Sequence, residues 1–465
     1  MSGAVKSSEM EKDEQLLDSC SDNESGHCKN GFFSAISAIP GGIWAISLFG
    51  LFLGMSTTMI YSQLSLFLKN DLGLTVSQIA NLDGFVESVA FITRIFSGPI
   101  SDFFRERKLI LCIGCFVTLG AKAFLPFVSS FLGSVSNQFF DRVGNGLQAT
   151  PRDALIADIT PRSIRGRVYG LTKSIKTAGG FLGGITAITL MGYYSNDFRQ
   201  VFKFAIIPVI LAGICLMFVK DTNRSDKEKG QGQKKAEKRE NPFKRKYLKS
   251  LDFSFWKLML LAFVFQLGHF TEHLFPIYME NFVSTRVAGS IGTVVNMGQI
   301  MLAFTIGFLA DKFGKGRFIR FCMSLMVISN LLFLLAGGIC SVVDFSLDLS
   351  KFFGNGFVIN SQACCVYLGG FLWGGQMSAI EGLFLAIICE QVVFYLRATA
   401  IGIYSLILAG GYWMASRMGS KIWEADGWGC EYTFVYSLIF CVLALILSCV
   451  LLPKKYNVAV VPKGR

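Results

Sequence analysis

Apolar stretches of about 20 residues or more, the length a helix needs to cross a bilayer, recur along the whole chain. Backbone N–H and C=O groups in lipid must be hydrogen-bonded internally, so these stretches are predicted to be helices rather than open strands. Charged residues make up only 16% of the sequence, against roughly 25% in soluble domains. The sequence therefore predicts an all-α, multi-pass integral membrane protein.

Hydropathy windows predict twelve transmembrane helices in two pseudo-symmetric six-helix bundles, 43–220 and 253–455. The polar stretch 221–252 lies between them and is predicted to be a flexible cytoplasmic linker. Polar residues 1–42 and 456–465 are predicted to be cytoplasmic tails, the first of them disordered. The predicted helices are 43–68, 76–104, 108–128, 131–159, 164–192, 199–220, 253–284, 287–313, 317–343, 360–394, 397–424 and 428–453.

Every second loop between the predicted helices is basic, and the loops between those are nearly free of Lys and Arg. By the positive-inside rule this pattern places both termini in the cytoplasm. The net charge of +12 does not indicate nucleic-acid binding, because no basic stripe with interleaved aromatic residues is present. The basic linker is interpreted as a tether facing membrane lipid.

The two halves repeat a short motif at equivalent places. Gly98 and Asp102 follow the second predicted helix, and Gly307 and Asp311 follow the eighth. An internal repeat of this kind is typical of transporters whose site lies between the halves. The polar segment 341–360 predicts a longer external loop in the second half only.

The pattern Gly-x-x-x-Asp-(Arg/Lys)-x-Gly-(Arg/Lys) resembles the signature of the major facilitator superfamily, and the second copy matches it better. The first copy has Phe103 where a basic residue is usual. The stretch from Arg142 to Gln148 is similar to that family's embedded-arginine motif. The resemblance covers about residues 43 to 455. It is to bacterial members of the family, which implies a bacterial inner (plasma) membrane.

The resemblance implies a cytoplasmic gate that latches the two halves and breaks when the cavity opens inward. A small Gly lets helices approach closely, and an Asp four residues on lies on the same helix face. Basic residues just beyond would pair with carboxylates on neighbouring helices. The candidate gate residues are Gly98, Asp102, Arg107, Asp158, Gly307, Asp311, Lys315, Arg317 and Glu390.

Ionisable side chains at bilayer depth are costly unless paired or hydrated, so each is a functional candidate. In the second helix, Asp83, Glu87 and Arg94 share one face. Asp83 and Glu87 could share a proton, Glu87 and Arg94 could form a structural pair, and Asp83 could lie near the external interface.

The fourth predicted helix carries a polar stripe that cannot face lipid. Its members are Gln138, Asp141, Arg142, Asn145, Gln148 and Arg152. These groups either line a water-filled cavity or bind one another, with Asp141–Arg142 as a static tie. The resemblance implies that this helix faces the central cavity, with Arg142 beside the substrate or the proton path.

Four polar residues cluster in the seventh predicted helix: Gln266, His269, Glu272 and His273. The string from His269 to His273 matches the H-x-x-E-H of some zinc peptidases, but neither a further ligand nor a supporting domain is visible. A proton-carrying His–Glu pair, a satisfied polar cluster at a helix end, and two His residues binding a transported metal all stay open. Glu381 in the tenth helix is a further cavity candidate.

These patterns predict a secondary active transporter that moves a small-molecule substrate by alternating access, coupled to the proton. A phosphate-binding loop of Walker type is absent from the sequence, so an ion gradient is the implied driver. The sequence predicts no enzyme activity, no cofactor, no resident metal and a monomer. A non-transporting receptor or scaffold on the same fold is the alternative.

The gate hypothesis predicts that Asp311→Asn slows transport while leaving substrate affinity within a few-fold, because a latch changes the exchange between states rather than the binding site. Initial rates and half-saturation concentrations in proteoliposomes provide the measurement. Turnover equal to that of the unmodified protein would contradict a latch at Asp311.

Overall fold

The computed structural model describes residues 41–104, 107–160, 165–219, 253–337, 346–348, 358–392, 397–425 and 429–452. The predictions for the linker 221–252, for the tail 456–465 and for nearly all of the tail 1–42 lie outside these ranges. Seven helices belong to the first half: α1 (Gly41–Asn70), α2 (Val76–Phe104), α3 (Arg107–Phe124), α4 (Phe131–Ile159), α5 (Arg165–Tyr193), α6 (Phe198–Phe204) and α7 (Ile206–Met217).

The second half contains eight described helices and a short hairpin. The helices are α8 (Phe253–Leu267), α9 (Leu274–Met279), α10 (Thr285–Ala288), α11 (Ile291–Phe313), α12 (Lys315–Gly337), α13 (Ser361–Gln391), α14 (Arg397–Trp423) and α15 (Glu431–Leu451). Strands β1 (Ser346–Asp348) and β2 (Val358–Asn360) pair antiparallel within the predicted external loop. A 3₁₀ turn, Leu125–Phe127, extends α3.

The twelve-helix, two-half architecture is confirmed, with α6 and α7 forming the sixth span and α8 and α9 the seventh. Six described segments are long and apolar enough to cross a membrane by length and composition alone: α1, α3 with its 3₁₀ turn, α6 with α7, α12, α13 and α15. Helices α2 and α4, which carry the candidates Glu87, Asp141 and Arg142, are not among them. These three side chains are half-buried.

The prediction of a continuous seventh helix over 253–284 is wrong, because the chain is not helical between α8 and α9. Pro276 has no N–H to donate to the carbonyl of Glu272, and its ring would clash with that carbonyl in a helix. The Gly268 carbonyl accepts a bond from the Ser437 hydroxyl instead (2.5 Å). The break lets residues 269–273 leave the helix surface and approach the first half.

Glycines bring α5 into backbone contact with α1. A Cβ on Gly179 would lie 2.0 Å from the Leu51 carbonyl oxygen, and one on Gly183 would lie 2.1 Å from that of Met55. The second half uses the same device between α11 and α13, where a Cβ on Gly298 would lie 2.0 Å from the Phe371 carbonyl oxygen. Small residues at such crossings allow helices to pack closely within each half.

The two halves meet mainly where α2 contacts α14, α5 contacts α11, and α1 contacts α9. The Ser88 hydroxyl donates to the Ala409 carbonyl (3.1 Å), and the Glu424 carboxylate accepts from the Ser77 N–H (2.7 Å). The basic end is defined here as the end where α2 is joined to α3 and α11 to α12. These contacts lie towards the other end, which we call the opposite end.

The α1–α5 crossing predicts that Gly183→Ala destabilises the protein, because its added methyl would meet a backbone carbonyl that cannot move alone. We expect a loss of about 1–3 kcal/mol, the usual cost of overpacking, read as a lower thermal midpoint in detergent. Gly410→Ala in α14 is the matched control, since a Cβ there meets nothing within 4 Å. Equal midpoints for the two variants would contradict the backbone contact.

Candidate functional site

A cavity of about 320 Å³ lies between the halves and takes its wall from both of them. Helices α1, α2 and α4 contribute from the first half, and the broken seventh span, α11, α13 and α14 from the second. The predicted candidates that line it are Glu87, Arg142, Gln266, His269, Glu272, His273 and Glu381. The structure thus brings together residues from four helices that sequence reasoning could treat only one helix at a time.

Three other predicted candidates lie inside the first half, away from this wall. The Gln148 amide donates to the Thr118 hydroxyl (2.8 Å). The Asn145 amide donates to the Asp141 carboxylate (2.9 Å). Asp141 lines a second cavity of about 30 Å³ that also contains the buried Lys122. The polar stripe of α4 therefore divides between the central cavity and the interior of its own bundle.

Arg142 is held by two groups at the cavity wall. Its Nε lies 3.5 Å from the Glu87 carboxylate, and its guanidinium lies 4.9 Å from the centre of the Tyr61 ring. The alternative pair Glu87–Arg94 is wrong, since residues seven apart stand roughly 10 Å along a helix. Arg94 instead lies over the Phe91 ring at 5.4 Å.

Asp83 is the centre of a buried network that joins the halves. Its side chain is 1% exposed and accepts hydrogen bonds from Thr271 (2.7 Å), Tyr412 (2.8 Å) and Tyr61 (3.0 Å). The Nε2 atom of His273 lies 3.3 Å from the same carboxylate. We call these five residues the clasp. Because Thr271, His273 and Tyr412 belong to the second half, the clasp closes the cavity towards the opposite end.

The sequence places Asp83 on one helical face with Glu87 and Arg94 but does not mark it as a site residue. Its two donors from the second half, Thr271 and Tyr412, lie 188 and 329 positions away along the chain. No sequence pattern links them to Asp83. The one available signal is the helical face that Asp83 shares with Glu87. A second contact at the opposite end supports the closure: the Lys69 ammonium lies 2.8 Å from the Glu280 carboxylate.

The two histidines of the H-x-x-E-H string face different partners. The His269 Nε2 lies 2.8 Å from the Gln376 amide nitrogen, and its ring packs against Trp373 with centroids 5.2 Å apart. His273 reaches Asp83 and packs against Tyr61. The break between α8 and α9 removes the helical spacing that would have let both rings share a metal. Within the described ranges, no group of three or more His, Cys, Asp or Glu could hold a metal ion.

Glu272 lies between these histidines and has a different environment. Its Oε1 atom is buried and has no hydrogen-bond partner within the part of the chain that the structure describes. A buried carboxylate oxygen left without a donor is costly. It therefore favours either a proton or a ligand carrying a donor.

The candidate gate residues are only partly covered by the structure. At five of these positions the structure describes the backbone but not the side-chain environment: Gly98, Asp102, Asp158, Gly307 and Asp311. The Arg107 guanidinium donates to the Ala154 carbonyl (2.6 Å). Lys315 forms an ion pair with Glu390, and both belong to the second half. Arg317 is exposed.

Two matched helical halves around a cavity lined by ionisable groups define a secondary transporter. A profile of the Major Facilitator Superfamily matches residues 46–367, and the chain belongs to that family. It is a multi-pass membrane transporter, and the family and its relatives are transporters rather than enzymes.

An uncharacterised MFS-type transporter from Methanocaldococcus jannaschii is 23% identical over 400 residues, covering 84% of this chain and 90% of the relative. A peptide transporter solved in complex with sulfate has a TM-score of 0.68 at 11% identity, over 92% of this chain and 96% of that one. A D-xylose–proton symporter has a TM-score of 0.64 at 15% identity, over 90% and 99%. At these identities the solved structures establish the shared fold.

The clasp predicts that Asp83→Asn shifts the protein towards a state open at the opposite end. The amide loses the charge that attracts His273 and cannot accept all of the present hydrogen bonds, each worth about 1.5–3 kcal/mol to a charged group. Spin labels at the exposed positions Tyr193 and Asn281 report the distance between halves there, in a background whose accessible cysteines are replaced. We expect a longer distance population to grow.

Glu381→Gln, another carboxylate-to-amide change outside the clasp, serves as the control for that distance measurement. Glu381→Gln is expected to give the distance distribution of the unmodified protein. If Asp83→Asn gives that same distribution, the clasp is contradicted.

Proposed function

We propose that this transporter couples the movement of a small solute to protons, with Glu272 as the proton-carrying group. The proposal depends on one observation. The Oε1 atom of Glu272 is buried at the wall of the cavity shared by both halves and has no hydrogen-bond partner among the described residues. Two other acidic groups of the cavity region are engaged. Asp83 is held by the clasp, and Glu87 lies beside Arg142.

Coupling requires that proton and solute bias the same conformational equilibrium. Glu272 meets this requirement by its position in the chain, because the next residue, His273, belongs to the clasp. Protonation of Glu272 removes a negative charge from the neighbourhood of Asp83 and His273. A proton at this site and a solute in the cavity therefore both act on the contact that holds the halves together, as alternating access demands.

The orientation of the structure follows from the basic loops. If the basic end is cytoplasmic, as the positive-inside rule indicates, both termini are cytoplasmic. The contacts between halves described above lie towards the external side, so the cavity faces the cytoplasm. In the externally open state, the candidate gate residues would then close the basic end, with Asp102 and Asp311 beside the basic residues that follow them.

The proposal includes three further properties: a monomeric working unit, protons as the coupling ion and a bacterial inner membrane. Both halves of one chain line the cavity, and we extend the proposal to a monomer surrounded by membrane lipid as the working unit. The likeness in fold to a D-xylose–proton symporter supports protons as the coupling ion. We extend the proposal to a bacterial inner membrane on the resemblance to bacterial members of the family.

The test uses proteoliposomes loaded with a pH-sensitive dye and a panel of monosaccharides, dipeptides, polyols and quaternary ammonium ions. A coupled solute changes the internal pH when it is added. Glu272→Gln is expected to reduce that change by about tenfold or more, because the amide cannot carry a proton. Counterflow at a saturating concentration of labelled solute, which needs no net proton movement, is expected to stay within a few-fold.

Asp71→Asn is the matched control, since Asp71 lies outside the cavity and faces Arg199 of the same half at 3.7 Å. It is expected to retain both activities. Solute-driven pH changes that persist unaltered in Glu272→Gln would remove Glu272 from the coupling mechanism.

A further inference from the structure

The charges in the cavity wall are unevenly distributed between the halves. The first half contributes Glu87 and Arg142, which neutralise each other. The second half contributes Glu272 and Glu381, and no Lys or Arg of that half stands among the described wall residues. The wall is therefore acidic although the whole chain has a net charge of +12.

The one guanidinium among the described wall residues is not available to an anionic solute. Arg142 is flanked by Glu87 and covered on one face by Tyr61. An anion entering the cavity would have to displace Glu87 and would face two further carboxylates. In a site of low dielectric such like-charge contacts cost several kcal/mol, so the wall disfavours anions.

The carboxylates of the second half lie beside aromatic rings. Glu381 and Phe384 are three residues apart on α13, which places them on the same helix face. Phe384 stacks on Tyr404 of α14 with ring centroids 6.0 Å apart and planes 29° apart, and all three residues line the cavity. A carboxylate next to aromatic rings is a combination that binds organic cations, through charge and through the ring face.

We propose that the cavity selects an organic cation with an apolar or aromatic body, held by Glu381, Glu272 and the Phe384–Tyr404 pair. A neutral polyol could bond to the amides and hydroxyls of the wall but would leave two carboxylates without a counter-ion. A cation supplies the counter-charge that a polyol lacks, and its apolar body fits a wall that also contains Phe91, Phe265 and Phe275. This inference rests on the proposed transport function and adds the substrate class to it.

Direct binding tests the substrate class without requiring transport. Labelled tetraphenylphosphonium is titrated onto the full chain in nanodiscs, with empty nanodiscs subtracted, and tetraphenylborate is the matched anion of the same shape. Benzyltrimethylammonium and its neutral carbon isostere neopentylbenzene are added as competitors. We expect saturable binding of tetraphenylphosphonium, displacement by benzyltrimethylammonium, and at least about tenfold weaker effects of the anion and the neutral isostere.

Variants assign the binding to the named residues. Glu381→Gln and Glu272→Gln are each expected to weaken tetraphenylphosphonium binding by about tenfold. Tyr404→Phe keeps the ring and is expected to bind within about twofold, whereas Tyr404→Leu is expected to lose affinity. Size-exclusion profiles and thermal midpoints of each variant separate loss of the site from loss of the fold, and Tyr404→Phe keeps the test valid if Tyr404→Leu does not fold.

Three results would overturn the substrate class: tetraphenylborate or neopentylbenzene binding as well as its cationic counterpart, no binding of either cation above empty nanodiscs, or cation binding unchanged in both Gln variants. None of these three results affects the proton-coupling experiment, because that experiment uses whichever solute changes the internal pH. Conversely, cation binding without any solute-driven pH change would contradict proton coupling but not the substrate class.

Discussion

The carboxylate of Asp83 is an ionisable group in the protein interior whose hydrogen-bond donors come from both halves of the chain. Three donors and a histidine surround it only when α1, α14 and the break between α8 and α9 meet around α2. When the halves separate at this end, water can take the place of each donor, so the net cost of opening is about 1.5–3 kcal/mol for each bond to this charged group. The closed end is therefore specific but reversible, as a carrier requires.

The break in the seventh span connects this closure with the cavity. A continuous helix would have left Thr271, Glu272 and His273 spread around its circumference. Because the chain is not helical between α8 and α9, Thr271 and His273 can reach Asp83, and Glu272 stays at the cavity wall. Closure and the proposed binding of proton and solute thus depend on adjacent residues of one short segment.

The sequence was sufficient to predict most of the helices, because a hydrocarbon layer requires long apolar segments and leaves few alternatives. It was also sufficient to predict that Glu87, Arg142 and Glu272 face the protein interior, since lipid excludes them. It could not predict how they pair. Helical periodicity relates residues of one helix, so it suggested Arg94 as partner of Glu87, whereas the structure brings Arg142 to it from α4. Asp83 was passed over for the same reason.

We infer that the polar faces of both halves enclose one water-filled passage. A single cysteine in place of Gln299, which lines the cavity from α11, tests it directly when the protein is exposed to a membrane-impermeant thiol reagent in sealed vesicles of known orientation. We expect labelling from the basic side, and labelling from the other side once Asp83→Asn releases the clasp. Labelling only by a lipid-soluble reagent, from neither aqueous side, would contradict it.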